Sequence, residues 1–416
     1  RSSAASDVYK RQALAHVKVP FAAKRLLKLL TKITHGELHI QCPDGTWLVY
    51  GKPGGLQGYI ILKNWRVFSA AIKSGDIGFA ETYIAGDWHT PQLAHLLQVL
   101  IQNRDAIEKA VYGHPIGRFA YRLKHLLNRN TKANSRKNIH AHYDLGNDFY
   151  RLWLDNTMNY SSALYANGIT DMAMAQNEKV RRALQEVDLK PGQRLLEIGC
   201  GWGALAEMAT NEFQSEMVGL TLSTEQLDWA NKRLAATPNG QLADLRLQDY
   251  RDIGVVSPEE PFDAVCSIEM IEAVGRAYWP TYFDTIAKRL KPGGKACIQS
   301  IVIADHLFSR YIQGTDFIQQ YIFPGGCLPS PRQFRESAGR AGLRVVNEKA
   351  FGLDYAETLR TWRHKFLHEE PAVRALGFDT PFIRTWEFYL AYCEAAFMES
   401  NTDVIQFTLE KPMTAA

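Results

Sequence analysis

Cysteine is scarce in this chain, with six thiols at 42, 200, 266, 297, 327 and 393. No two form a C-x-x-C pair, and none stands with histidine at metal-ligand spacing. No disulfide framework and no metal site are therefore expected; free buried thiols in a reducing compartment, by default the cytoplasm, are. Long apolar runs are also missing, since nothing approaches the ~20 residues needed to span a bilayer. The segment 13–23 is only mildly apolar and carries Lys18, so no signal peptide is expected. Nor does one sign of charge dominate: 48 Lys and Arg stand against 44 Asp and Glu, a net +4. There is no internal repeat and no low-complexity tract. Residues 1–12, ending Asp-Val-Tyr-Lys-Arg-Gln, read as translated sequencing-adapter DNA, an artefactual leader without bearing on the fold.

What is present divides the chain in two. Its 46% hydrophobic and 22% charged residues are those of a soluble globular protein, and its length calls for more than one core. Residues 13–111 read as a small α+β unit. A basic amphipathic helix (13–35) precedes strands at 37–42 and 46–51, joined by a Pro43-Asp44-Gly45 turn. A third strand (58–63) leads into helical periodicity over 67–111, broken at Gly75 and at Gly86-Asp87-Trp88. Residues 112–137 form a basic linker. Between 101 and 140, nine Lys/Arg face only Asp105 and Glu108. That charge suits an anionic surface or a solvated face; no nucleic-acid motif accompanies it.

From 138 to 416 the texture changes. A stretch dense in aromatics (His140, His142, Tyr143, Phe149, Tyr150, Trp153, Tyr160, Tyr165) precedes a helix at 171–187. Strands at 194–198, 216–221, 243–247, 262–267 and 294–302 then alternate with helices at 203–213, 224–235 and 277–290. Pro292-Gly293-Gly294 is expected to close the last of these helices. An amphipathic insert at 305–322 follows, then a strand near 343–350, aromatic helices at 355–367 and 382–399, and a strand at 403–410. This alternation predicts an α/β fold, a mostly parallel doubly wound sheet covered on both faces.

The richest segment is Leu195-Leu-Glu-Ile-Gly-Cys-Gly-Trp-Gly203. An apolar strand ends in Glu197 and turns through Gly199, Gly201 and Gly203 into a helix. Glycine suits backbone that turns sharply and lies against a ligand. A dinucleotide site takes G-x-G-x-x-G with a pyrophosphate on the helix N-terminus. The pattern here, E-x-G-x-G-x-G, suits a ligand without phosphates such as S-adenosylmethionine (SAM). A nicotinamide site also needs a carboxylate about 20 residues on for the ribose. Position 219 is glycine, which argues against a dehydrogenase. Thr221 and Gln226 are the nearest groups for a ribose, and Gln248-Asp249 offers an acceptor for the adenine amino group.

Seven segments carry a family resemblance: His142-Tyr-Asp-Leu-Gly-Asn-Asp-Phe-Tyr150, Met158-Asn-Tyr-Ser-Ser162, Leu196-Glu-Ile-Gly-Cys-Gly-Trp-Gly203, Gly219-Leu-Thr-Leu-Ser223, Gln248-Asp-Tyr-Arg-Asp252, Ser267-Ile-Glu-Met-Ile-Glu-Ala-Val-Gly275 and Tyr321-Ile-Phe-Pro-Gly-Gly-Cys-Leu-Pro-Ser330. Over most of 138–410 the chain resembles the cyclopropane-fatty-acyl-phospholipid synthase family of SAM-dependent methyltransferases. The unit 13–111 is similar to the lipid-binding domain of its long bacterial members. The resemblance implies a class I, Rossmann-like methyltransferase fold. It also implies transfer of the SAM methyl group to a cis double bond in a membrane phospholipid, closing a cyclopropane ring. SAM contacts are implied for Tyr160, Ser161, Gly199, Gly201, Thr221, Leu222, Gln226, Gln248 and Asp249. Glu272, Ile301 and Tyr355 are implied around a bound bicarbonate, the base. Ser162 stands where many members have cysteine at that site, and Gln299 where many have histidine. Both can still hydrogen-bond an anion, so ring closure and methylation alone both stay open.

An isolated alkene is a weak nucleophile, so the chemistry needs an aligned donor and a cradle for a carbocation. Aromatic faces stabilise cations without bonding to them; the rings over 143–165, with Tyr321, Phe323, Tyr355 and Trp362, are candidates for that cradle or for plain core. Glu272 is expected to orient the base. The acceptor cannot leave its bilayer, so a cytoplasmic enzyme bound peripherally to the inner membrane face is expected, through the basic segments and the insert 305–322. A homodimer is a candidate assembly. The rival readings are a methyltransferase acting on an unsaturated lipid without ring closure or on a small amine, and a lipid-binding protein without catalysis.

Overall fold

The computed structural model describes residues 19–111, 145–255 and 258–413. The leader 1–12, the basic linker 112–137 and the aromatics His140, His142 and Tyr143 lie outside the described residues. Two compact units separate. Among the described residues, one comprises 19–111 with Gly314–Gln320 and Gly377–Glu399; the other comprises 145–255, 258–313, Tyr321–Leu376 and 400–413.

The first unit is a four-stranded sheet in the order β2-β1-β3-β4. β1 (Glu37–Gln41) pairs antiparallel with β2 (Trp47–Gly51) and parallel with β3 (Gln57–Leu62), which takes the short β4 (Trp88–His89) antiparallel. Alternation sorts the faces: Leu38, Ile40, Leu48, Tyr50, Ile60 and Leu62 are buried. Asp44 closes the hairpin by accepting the backbone N–H and the hydroxyl of Thr46, each at 3.1 Å. The helix Arg66–Ile84 bends at Gly75, where φ is 62° and ψ −133°, a backbone that favours glycine. The helix Thr380–Met398 completes this core, with the Phe388 ring 6.3 Å from Phe79 and 4.9 Å from Phe317.

The second unit is a seven-stranded sheet in the order β10-β11-β9-β8-β5-β6-β7. β5 (Arg194–Ile198), β6 (Glu216–Thr221), β7 (Ala243–Leu247), β8 (Phe262–Ile268) and β9 (Leu290–Ile303) run parallel. β11 (Thr402–Glu410) and β10 (Arg344–Ala350) extend it antiparallel. The central strands are buried on both faces, which is why they read as unbroken apolar runs. Helices Met172–Glu186 and Ala204–Asn211 cover one face through Val180, Leu184, Leu205 and Met208. Trp279–Arg289 and Pro331–Arg340 cover the other, where Phe334 stacks on Phe407 at 3.8 Å. The order reverses at β5, flanked by β6 on one side and β8 on the other. In doubly wound sheets such a reversal opens a crevice at the strands' carboxyl ends.

Two expectations need correction. The helix before β9 ends at Arg289, with Leu290 already extended at φ −78° and ψ 138°. The Pro292-Gly293-Gly294 run instead lies where the β8–β9 register jumps from Phe262–Leu290 to Ala264–Lys295. Residues 305–322 do not form one amphipathic surface but two short helices, Asp305–Tyr311 and Phe317–Tyr321. Phe308 is buried in the second unit's core and Phe317 in the first unit, so these apolar positions fill cores.

Candidate active site

A cavity opens at the carboxyl ends of β5 and β6 and behind the segment after β8. Of the residues expected around the donor, Tyr160, Ser161, Glu197, Gly199, Gly201, Thr221, Leu222, Gln226 and Gln248 line it. Ser223 caps the helix Thr224–Ala235 by accepting the Gln226 N–H at 3.2 Å, and the Thr221 hydroxyl donates to Gln226 Oε1 at 3.1 Å. The two ribose candidates are thus held together at the tip of β6.

The three turn glycines serve different ends. A Cβ on Gly199 would lie 2.7 Å from Met270 Cγ, and one on Gly203 would lie 2.8 Å from Ala230 Cβ. Gly201, at φ +50°, faces open space. Close packing explains the outer two, and ligand approach suits the middle one; Gly203 does not line the cavity. Nor does Asp249, the adenine acceptor expected from sequence, although its neighbours Gln248 and Tyr250 do. The Asp249 carboxylate is gripped by Arg251 through Nε at 2.8 Å and Nη2 at 2.5 Å.

Glu197 is buried, and its Oε2 has no hydrogen-bond partner. Burial pushes its carboxyl up to about 8, against the pull of Lys179. An unpartnered acceptor on a cavity wall is satisfied when a ligand brings a donor such as an ammonium or hydroxyl. Tyr160 lines the same cavity, with the rings of Tyr150, Trp153 and Trp362 at 5.4, 5.5 and 5.5 Å. Tyr355 reaches Trp362 at 6.3 Å, whereas Tyr321 is exposed.

A second group of residues converges on a carboxylate that sequence reasoning passed over. Glu269 follows β8 at φ +50°, a left-handed backbone that strains any side chain but glycine. Its Oε1 accepts the Ser162 backbone N–H at 2.9 Å and Gln299 Nε2 at 2.7 Å, and its Oε2 accepts the Tyr355 hydroxyl at 2.6 Å. Burial raises this carboxyl, opposed by those donors and by Lys179. The Ser162 hydroxyl turns to the Ala163 carbonyl at 2.9 Å, so the backbone at 162 does the holding. Glu272 is not part of this cage. Its Oε1 accepts the Ile301 N–H at 2.5 Å, its Oε2 has no partner, and burial followed by the charge of Glu269 pushes it up to about 8. Of Glu269, Glu272, Ser162, Gln299, Ile301 and Tyr355, only Glu269 lines the cavity.

This geometry bears on the expected bicarbonate. Three of the positions the resemblance placed around it, Ser162, Gln299 and Tyr355, direct their donors onto a carboxylate of the protein. The residues present do not fit a second anion there. Sequence reasoning also passed over Lys179. Its signal was available, because Gln176 and Lys179 fall on the buried stripe of Met172–Glu186 with Ala175, Val180 and Ala183.

The sheet order, the glycine turn below Glu197 and the cavity at the strand ends define a class I SAM-dependent methyltransferase. The family model described as mycolic acid cyclopropane synthetase matches residues 130–407, and the chain belongs to that family. It is 38% identical over 347 residues to the tuberculostearic acid methyltransferase UfaA1 of Mycobacterium tuberculosis, covering 81% of this chain and 79% of that one. It is 31% identical over 358 residues to the cyclopropane-fatty-acyl-phospholipid synthase of Escherichia coli, covering 86% and 89%. Among solved structures it is similar to the mycolic acid cyclopropane synthase CmaA1 complexed with SAH and CTAB. That match has a TM-score of 0.61 and 30% identity, covering 66% of this chain and 98% of the other.

Proposed function

We propose that this enzyme transfers the SAM methyl group to the cis double bond of an unsaturated acyl chain in a membrane phospholipid. We propose further that Glu269, not bicarbonate, receives the proton that is then lost. The observation that carries this reading is the cage of Ser162, Gln299 and Tyr355 around the Glu269 carboxylate, on the wall of the donor cavity. SAM supplies an electrophilic methyl group and, through its amino-acid part, a donor for Glu197. As the alkene π electrons form the new C–C bond, the sulfonium C–S bond breaks and a carbocation remains beside the new methyl group. Tyr160, backed by Tyr150, Trp153 and Trp362, presents a face that stabilises this cation without trapping it. Glu269 then takes a proton from the new methyl group.

Ring closure follows if that proton leaves while the charge is still on the neighbouring carbon, whose bond to the methyl carbon completes the cyclopropane. Methylation without a ring follows if a hydride first shifts to that carbon; loss of the same proton then gives a methylene branch. The second outcome is favoured by the higher identity to UfaA1 and by the departures at 162 and 299. Both products add CH2 to the acyl chain. Lipid mass spectrometry after expression in a host lacking cyclopropane lipids, with and without catalytic hydrogenation, separates them, since only the methylene product takes up hydrogen under mild conditions. Unaltered acyl chains would overturn the reading.

The same reading makes the enzyme a peripheral visitor to the membrane. No described helix is long and apolar enough to cross one. The helix Phe21–Leu30 exposes Phe21, Lys24, Arg25 and Lys28, with Lys32 just beyond it, a face suited to an anionic lipid surface.

A further inference from the structure

We propose that Lys179 is a positioning residue whose ammonium, hydrogen-bonded to the wall of the donor cavity, favours the carboxylate forms of both Glu197 and Glu269 over their protonated forms. This rests on the reading of Glu269 as the proton acceptor. Lys179 is fully buried on the helix Met172–Glu186, and burying an ammonium is costly unless its surroundings compensate. Its Nζ donates to Ser161 Oγ at 2.5 Å and to Asn159 Oδ1 at 3.4 Å. Both partners line the cavity. Around it, without a direct hydrogen bond, stand the carboxylates of Glu269, Asp155 and Glu197. Burial pushes this ammonium down to about 8 while Glu269, Asp155 and Glu197 pull it back up, so below that pH it acts on all three acids through space rather than as one ion pair.

The backbone of the same residue reinforces the arrangement. The Lys179 carbonyl accepts Gln406 Nε2 at 3.1 Å, and that nitrogen also donates to Gln299 Oε1 at 3.0 Å. Arg182 Nη1 donates to Gln406 Oε1 at 2.5 Å, which fixes the orientation of the Gln406 amide. With its oxygen committed to Gln406, Gln299 must present its nitrogen to Glu269, as observed. One residue therefore supplies Glu269 with a through-space counter-charge and helps orient a donor onto it.

Other groups facing the pair set the background. Glu269 also faces Tyr355 and lies beside Glu272. Glu197 lies near the thiols of Cys200 and Cys266, both held protonated by burial. Asp155 acts on Arg233 as well as on Lys179. Apart from Lys179, only Arg233 among these groups is a cation, and it acts on Glu207 and Asp155.

The test compares full-length wild type, Lys179→Gln, Lys179→Met and Lys179→Arg. It measures the pH dependence of kcat/KM on vesicles of monounsaturated phospholipid and, separately, of SAM affinity by calorimetry. Both quantities rise with pH as the glutamates ionise. Loss of the charge in the Gln and Met variants is expected to move both rising limbs upward by about 1–3 pH units, the range for one nearby opposite charge. Lys179→Arg is expected to leave the limbs within about half a unit of wild type. A purely structural lysine would lower rates at every pH without moving a limb, and that result overturns the proposal. If the neutral variants fail to fold, Lys179→Arg decides: an unmoved limb with kcat/KM near wild type supports the proposal, whereas a rate lowered at every pH without a shift, or an upward shift with the charge retained, overturns it. Glu269→Gln distinguishes the two layers. Near-normal turnover in that variant refutes Glu269 as acceptor, whereas its inactivity combined with unshifted Lys179 variants refutes only the role of Lys179.

Discussion

Substituting Glu269 by glutamine isolates charge from shape. In the wild type, Oε1 accepts two N–H donors and Oε2 accepts the Tyr355 hydroxyl. Glutamine keeps Oε1 for Ser162 and Gln299, while its NH2 donates to a Tyr355 hydroxyl that rotates to accept. The Tyr355 proton then loses its carboxylate acceptor, so stability is expected to fall by about 1–3 kcal/mol, the cost of one unsatisfied buried donor. The base is gone, however, and loss of a positioned proton acceptor typically costs ~10²–10⁴-fold in rate. Glycine at the same position does something different. It relieves the strain of φ +50°, worth roughly 1–2 kcal/mol, and leaves three donors without an acceptor. Added bicarbonate should then bind in their midst and restore part of the lost rate. The assay is methyl transfer from labelled SAM to unsaturated phospholipid vesicles, with thermal melts confirming that each variant folds. Glu269→Gln turnover within about tenfold of wild type would fall short of general-base loss and refute the assignment. Equal rescue of Glu269→Gly by chloride would refute the anion cage.

Further expectations follow from single observations. Gly203→Ala places a methyl group 2.8 Å from Ala230 Cβ at φ +84°. It should lower the unfolding midpoint, at about 1–3 kcal/mol of lost stability, whereas Gly201→Ala, facing open space, should chiefly weaken SAM binding by calorimetry. Burial holds Glu272 at about 8, above its ordinary 4.5. The folded state therefore binds this proton more tightly than the unfolded chain, and the stability it contributes is complete below about pH 4.5 and lost as pH rises through about 8. Glu272→Gln should flatten the decline of the melting midpoint across that window; an unchanged slope would show that the carboxyl is not buried in solution. The same variant should keep turnover within about tenfold of wild type, since Glu269 and not Glu272 takes the proton; abolished turnover with SAM still bound would return the base-holding role to Glu272. Liposome sedimentation should increase with anionic lipid and weaken with salt, and neutralising Lys24, Arg25 and Lys28 together should reduce it; indifference to lipid charge would remove the membrane role of this helix.

Much of the site was legible because it depends on local pattern. The strand 194–198, its terminal Glu197 and the glycine turn need only near neighbours in sequence, and nine cavity residues named from the motifs do line one cavity. Thr221 and Gln226 were legible as the groups standing where a ribose carboxylate is absent. Asp249 was legible as an acceptor after β7, but its contact with Arg251 two residues on was not, since that contact depends on the backbone turn at 250. The insert 305–322 has helical spacing of apolar residues, but spacing does not reveal that Phe308 and Phe317 serve different cores.

Sequence alone determined the alternation of strands and helices, the glycine turn and the class of donor, because hydrophobic period and backbone permissiveness are local properties. Tertiary structure alone decided which carboxylate is caged. Ser162, Gln299 and Tyr355 come from three distant segments, and they meet on Glu269 only because its left-handed backbone turns the side chain into their midst. It also decided that Lys179, one residue on an ordinary amphipathic helix, lies buried among three acids. Long-range electrostatics depends on distances through space, and those exist only once the sheet has assembled.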